Sequence, residues 1–167
     1  MQAGRVLSAV VYQPQHKRTC TAELGCGAWR DGVRLRREPA ASDLPRLCGG
    51  VLRRFLDDQT RQAVEANAPR FGSDLTPATT CAGVEYPRII EGYADFLLFW
   101  RTLDWDHAPG ALLLTEAGGA IIRPDGSPYL CNDDRMGLLV AADGATANAV
   151  LHGLGAWVRN TRGGVPQ

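Results

Sequence analysis

Apolar runs punctuated by glycine and proline predict the elements of this chain in order. Val6 to Tyr12 reads as a strand stopped by Pro14, and Arg18 to Ala22 as its hairpin partner across a Gln13 to Lys17 turn. Leu24 to Trp29 is a glycine-punctuated loop, and Asp31-Gly32 is a two-residue turn signal before Val33-Arg34-Leu35. Glu38 to Pro45 is polar, carries two prolines and is expected along the surface. Leu47 to Phe55 fits a strand broken by Gly49-Gly50. Asp57-Asp58 then caps a helix running to about Asn67, which Pro69 ends, and Phe71 to Leu75 reads as a short strand.

In the second half the pattern sharpens. Thr79-Thr80 offers hydroxyl caps for a helix through Ile90, with a kink or late start at Pro87, which has no N–H, and a stop at Gly92. Ala94 to Trp100 is the best buried strand. A helix from Asp106 to Ala117 follows, with Pro109 in its first turn and a Gly118-Gly119 stop. Ala120 to Ile122 and Met136 to Ala142 read as strands, with a turn at Pro124 to Ser127. The last helix, capped by Asp143, carries Ala147, Val150, Leu151, Leu154, Trp157 and Val158 on one stripe. Alternating strands and helices predict an α/β fold, a layered mixed sheet with flanking helices, as a single domain over 1–159 with a loose tail at 160–167.

Bulk properties narrow the classes. A chain of 167 residues with 45% hydrophobic and 22% charged residues can bury a core and is not disordered. Its net charge is zero, which favours neither nucleic acid nor an anionic membrane as partner. Arg34, Arg36, Arg37, Arg53 and Arg54 read as a solvated face. The five cysteines show no CxxC spacing and leave one over, so reduced core thiols in a cytoplasmic protein are expected; Cys81 is the one near the presumed pocket. No stretch reads as an export signal or a membrane span.

Asp106 is the leading chemical candidate, at a junction from strand to helix where open α/β sheets place their sites. An Asp here is also an excellent helix cap. A magnesium role needs more: the ion takes six oxygens, mostly waters and substrate phosphate with one or two carboxylates. His16, His107 and His152 lack metal-ligand spacing and are expected to be surface or packing residues.

Several stretches together resemble the inositol monophosphatase family. Trp105-Asp106-His107-Ala108-Pro109-Gly110 with Glu116-Ala117-Gly118-Gly119 is similar to its "WDxAAG…EAGG" signature. Thr21 to Trp29 resembles its "TAERGxGA" stretch, and Gly4 to Pro14 a strand that follows its first signature. The match runs in order from Gly4 to about Leu154. It corresponds to the second half of such an enzyme: the earlier glutamate motif and "DPxDGT" loop are expected before residue 1, and Asp125-Gly126-Ser127 is a hairpin turn instead.

The resemblance implies the C-terminal part of an αβαβα sugar phosphatase fold. It also implies Mg²⁺-dependent hydrolysis of a small sugar or polyol phosphate monoester, by attack of metal-bound water. Asp106 would ligate one ion, Ala82 would line the polyol side, and Trp105 would brace the aspartate by packing. Phe99 stands where the family has an inositol-contacting glutamate, and Thr80-Cys81-Ala82 keeps only the alanine of a "GSA" helix start, so inositol phosphate is a doubtful substrate. Glu85 could substitute, with helix pairing as its other reading, and Glu116 reads as structural. The alternative is a non-catalytic fragment or phosphometabolite-binding module that needs a partner half. A homodimer or a missing N-terminal half is expected.

Overall fold

The computed structural model describes residues 4–40, 43–71, 81–133 and 135–154. Four strands come first: β1 (Ser8–Gln13), β2 (Arg18–Glu23), β3 (Gly27–Arg30) and β4 (Val33–Leu35), paired antiparallel in that order. Asp31 and Gly32 both have positive φ, 49° and 84°, the twist a two-residue hairpin turn requires. The loop expected up to Trp29 is shorter than that. Gly27, at φ 92°, reverses the chain at once, and Ala28 packs inward opposite Ala22.

The second sheet has the order β5-β6-β8-β7, formed by β5 (Gly49–Val51), β6 (Phe96–Phe99), β7 (Ala120–Ile122) and β8 (Leu138–Ala141). β5 runs parallel to β6 and the other pairings are antiparallel, so this is the mixed sheet predicted, while the first four strands make a sheet of their own. Gly49-Gly50 does not break β5. A Cβ on Gly49 would lie 2.4 Å from the Phe96 ring, so glycine here is what lets the two strands close.

Helices α1 (Asp58–Asn67), α2 (Ala82–Ile90), α3 (Asp104–Glu116) and α4 (Gly144–Leu154) complete the described structure. Both predicted aspartate caps form. Asp57 accepts from the Thr60 amide at 2.8 Å and Asp143 from that of Thr146 at 2.7 Å. The Thr60 bonds hold the Asp57 carboxyl below its ordinary range. At Asp143 burial pushes the other way and is outweighed by bonds from Thr146 and Ala40. On α4 the buried stripe is Ala147, Val150, Leu151 and Leu154. Trp157, Val158, the tail, the caps Thr79 and Thr80, and most of the strand expected at 71–75 lie outside the described residues; Phe71 itself closes a short 3-10 turn.

The layers follow from what packs together. One core joins the inner face of the first sheet (Ala9, Cys20, Ala22, Ala28) to α2, α3 and one face of the second sheet (Leu97, Phe99, Leu138, Val140). The other core sets the opposite face (Phe96, Leu98, Leu139, Ala141) against Val64 of α1 and the stripe of α4. Sheet, helix pair, sheet and helix pair are thus stacked in that order. Between two sheets α3 is buried nearly all round, with Gly110 to Leu114 consecutively hidden, which is why its sequence shows no single apolar stripe.

Candidate functional site

A cavity of about 1000 Å³ opens where the first turns of α2 and α3 meet β1 and the segment after β5. Asp106, Trp105, His107 and Gly110 line it from α3, and Cys81, Ala82 and Gly83 from the start of α2. Val10 and Val11 come from β1, Phe99, Trp100, Arg101 and Leu103 from the end of β6 and the segment after it, and Leu52 to Phe55 from the segment after β5. Asp106, Ala82 and Trp105, separate in the sequence, therefore line one cavity. Trp105 is 75% exposed, so little of the described chain packs on its ring.

Helix α3 begins two residues before the predicted start. Asp104 draws it forward by accepting from the Tyr129 hydroxyl at 3.0 Å and the Asn132 amide at 2.7 Å, which pins the first turn. The cap position falls to Leu103, which offers no side-chain acceptor. Asp106 is consequently not a cap: it is the third helical residue, and its own amide donates to the Leu103 carbonyl. Pro109 correspondingly sits in the second turn, not the first.

Three carboxylates ride on α3, and two are committed. At the far end Glu116 accepts from the Gly25 and Gly27 amides, each at 2.8 Å. A negative charge at a helix C-terminus is disfavoured by the dipole, and these two N–H donors offset that. The structural reading of Glu116 holds, and its two glycines belong to the stretch that resembles the "TAERGxGA" motif. Asp106 alone takes no hydrogen bond or ion pair among the described residues, on the dipole-favoured first turn and facing the cavity.

The wall behind Asp106 is tightly fitted. A Cβ at Gly110 would fall 2.2 Å from Cδ2 of Tyr86, so this glycine lets α2 and α3 approach. The Tyr86 hydroxyl lies 3.1 Å from Nδ1 of His107, and Phe99 stacks on Tyr86 with His107 edge-on at 4.7 Å. Burial pushes the Tyr86 phenol up and the His107 imidazole down, in the second case against a hydrogen bond to the Arg101 backbone. Helix α2 starts at Ala82 and runs through Pro87, so the late start expected there does not occur. The Gly83 carbonyl, which Pro87 cannot serve, accepts instead from Nε2 of Gln13 on β1 at 3.0 Å.

Other candidates resolve differently. Glu85 is buried outside the cavity wall, 3.9 Å from Arg88 one turn on, in keeping with helix pairing. The cysteines are all free thiols, but Cys26, Cys48 and Cys81 are exposed, so only Cys20 and Cys131 fit the expected core role. The five arginines are not one face: Arg37 pairs with Asp95 and Arg34 lies on Trp29, while Arg53 and Arg54 line the cavity beside Arg101. Arg123, which the hydrophobic pattern does not mark, is only 1% exposed. It donates to Thr102 Oγ1 and to the carbonyls of Arg135 and Gly137, tying the segment that leads into α3 to the loop after β7. Its one local sign was a lone arginine beside the Ile121-Ile122 run.

Among the described residues no group of three or more His, Cys, Asp or Glu side chains is placed to hold a metal ion. Asp106 fits one ligand position of a hard, oxygen-loving cation; the described chain does not supply the set. No helix among these residues is long and apolar enough to cross a membrane.

Comparison with known proteins agrees with this geometry. The model of the inositol monophosphatase family matches residues 1–159. A fructose-1,6-bisphosphatase/inositol-1-monophosphatase of Thermotoga maritima is 30% identical over 121 residues, covering 72% of this chain and 45% of that protein. A probable 3'(2'),5'-bisphosphate nucleotidase of Arabidopsis thaliana is 35% identical over 66 residues, 36% of this chain and 19% of that one. Among solved structures, an inositol monophosphatase from Zymomonas mobilis superposes with a TM-score of 0.77 at 15% identity, over 90% of this chain and 58% of that chain. The Thermotoga maritima enzyme of the same kind gives 0.73 at 24%, over 90% and 56%. These likenesses establish the fold. The chain spans 45% of the length of the first curated relative it matches.

Proposed function

Because this chain belongs to the inositol monophosphatase family, we propose that it supplies the Asp106 side of a Mg²⁺-dependent phosphomonoesterase acting on a small sugar or polyol phosphate. The observation that supports this is the Asp106 carboxylate, without a hydrogen-bond or ion-pair partner among the described residues, lining one cavity with Ala82 and Trp105. Bound Mg²⁺ would neutralise charge on the phosphate ester. Asp106 would hold the ion, Ala82 would leave room for the polyol, and Phe99 would present an apolar ring where a sugar hydroxyl finds no acceptor. The His107 to Tyr86 bond fixes the wall from behind. The remaining ligands must come from outside the described residues, so no catalytic step is assigned to this chain by itself.

That same shortage of ligands supports a second reading, a fragment or binding module that recognises a phosphorylated metabolite and needs a partner half or a second copy. Asp106→Asn separates the two. We expect it to abolish Mg²⁺-dependent binding of a sugar phosphate, and turnover once the remaining ligands are supplied, while the far-UV circular dichroism is unchanged. Metal-independent binding that survives the substitution would favour the module.

A further inference from the structure

We propose that Arg123 is the positioning residue of the candidate site: without lining the cavity, it seats the first turn of α3 and so aims the Asp106 carboxylate. The inference rests on the reading of Asp106 as a ligand for a divalent cation and assigns the placement of that ligand to a second side chain.

Arg123 follows β7 and is not among the residues that line the cavity. Its backbone is closed into a tight turn: the amide donates to the Ser127 carbonyl and the carbonyl accepts from the Gly126 amide, each at 2.8 Å. From that base Nη1 donates to Thr102 Oγ1 at 3.0 Å and to the carbonyls of Arg135 and Gly137, each at 2.9 Å. Nη2 donates to the Asp133 carbonyl at 3.2 Å. Thr102 stands just ahead of α3, and its own hydroxyl donates to the same Arg135 carbonyl at 3.0 Å. A second route runs through Tyr129. The centroid of its ring lies 5.0 Å from Cζ of Arg123, and its hydroxyl donates to Asp104, the first residue of the helix. One guanidinium thus reaches the chain by two routes immediately before Asp106.

Packing alone does not call for an arginine there. The side chain is 1% exposed, and among the described residues its charge pairs with one carboxylate, that of Asp133, 3.4 Å from Nε. That Nε makes no hydrogen bond among the described residues. An apolar side chain of similar volume often holds a core as well or better than a buried ion pair does. What an apolar chain lacks is direction. The planar fork of arginine fixes several oxygens at set angles at once, which the point charge of a lysine cannot do.

The test uses the whole ¹⁵N-labelled chain with Mn²⁺ in place of Mg²⁺, because the paramagnetic ion broadens the amide signals nearest to where it binds. In the parent, broadening should centre on Asp106 and His107. Arg123→Lys, which keeps the charge and loses the fork, and Arg123→Met should each weaken the Mn²⁺ affinity read there by about 10-fold, the lower end of what loss of an outer-shell partner costs. Thr102→Val should weaken it too, and adding it to Arg123→Met should change little more, as for two groups that act through one contact. Should Arg123→Met fail to fold, the lysine variant takes its place in that pair. Val64→Ala, which loosens the opposite core, should lower stability and leave the affinity as in the parent. A second readout needs no metal. The Asp106 and His107 amides both donate to the Leu103 carbonyl, and their hydrogen exchange should speed up in the Arg123 variants while that of the Ala117 amide at the far end holds. If Mn²⁺ leaves the parent's Asp106 signal untouched, the Asp106 reading fails and the exchange rates alone decide the role of the arginine. Parent-like affinity and exchange in the Arg123 variants, losses that add fully with Thr102→Val, or an equal loss in Val64→Ala would overturn the proposal.

Discussion

The two sheets of this chain have four strands each, yet they sit in opposite situations. The second is covered on both faces, and every residue of β6 and β8 is buried. Among the described residues the first is covered on one face only: β1 alternates, with Ala9 inside and Val10 65% exposed, and Tyr12, Trp29 and Val33 lie exposed as well. The cavity lies between them, so one side of the candidate site rests on a doubly packed support and the other on a sheet with a bare apolar face. That bare face supports the expectation of a second copy or a partner half, since large exposed apolar patches are unusual on monomers.

The contrast breaks most sharply by matched truncations. Phe96→Ala, which removes a ring packed on Gly49 and Phe71, should cost about 3–5 kcal/mol in urea unfolding. Its counterpart Val10→Thr should stay within about 0.5 kcal/mol and reduce self-association in light scattering. Equal losses would mean that the outer face of the first sheet is covered after all.

A middle-sized effect tests the join between the sheets. Glu116→Ala frees the Gly25 and Gly27 amides and should cost about 1.5–3 kcal/mol. Hydrogen exchange should speed up first at the β2–β3 loop; protection there that stays as in the parent would show the clamp to be idle.

The smallest effect is a pH slope. Burial holds the His107 imidazole below its ordinary value of 6.5, so the fold favours its neutral form. Above about pH 6.5 neither state binds the proton and this stability is complete. Below it the unfolded chain takes up a proton that the folded one resists, and stability falls as the pH drops. His107→Gln should flatten the slope between pH 7 and 5; a slope identical to the parent's would assign it to other groups.

What the sequence made legible was local. The bounds of β4 and β7, the Asp57 and Asp143 caps, the Asp31-Gly32 turn and the Gly118-Gly119 stop depend on neighbours within a few residues, and each reads correctly. Asp106, Ala82 and Trp105 were picked out by resemblance, and the fold gathers them. What escaped depended on partners far along the chain. Gly49-Gly50 looks like a break until Phe96 lies over it, Pro87 looks like a late helix start until Gln13 serves the Gly83 carbonyl, and the start of α3 waits on Tyr129 and Asn132. Arg53 and Arg54 looked solvated because nothing nearby shows that Arg101 and Phe55 will join them.

Helix α3 is thus a strut staked at both ends, by Asp104 at one and Glu116 at the other. Over its 13 residues it is roughly 20 Å long at about 1.5 Å per residue. An ion held by a carboxylate mounted there would have to arrive in register. A tilt of only about 4° about the distant stake, roughly 15 Å away at about 1.5 Å per residue, would swing Asp106 by roughly 1 Å, a misalignment large enough to blunt a reaction that depends on positioning.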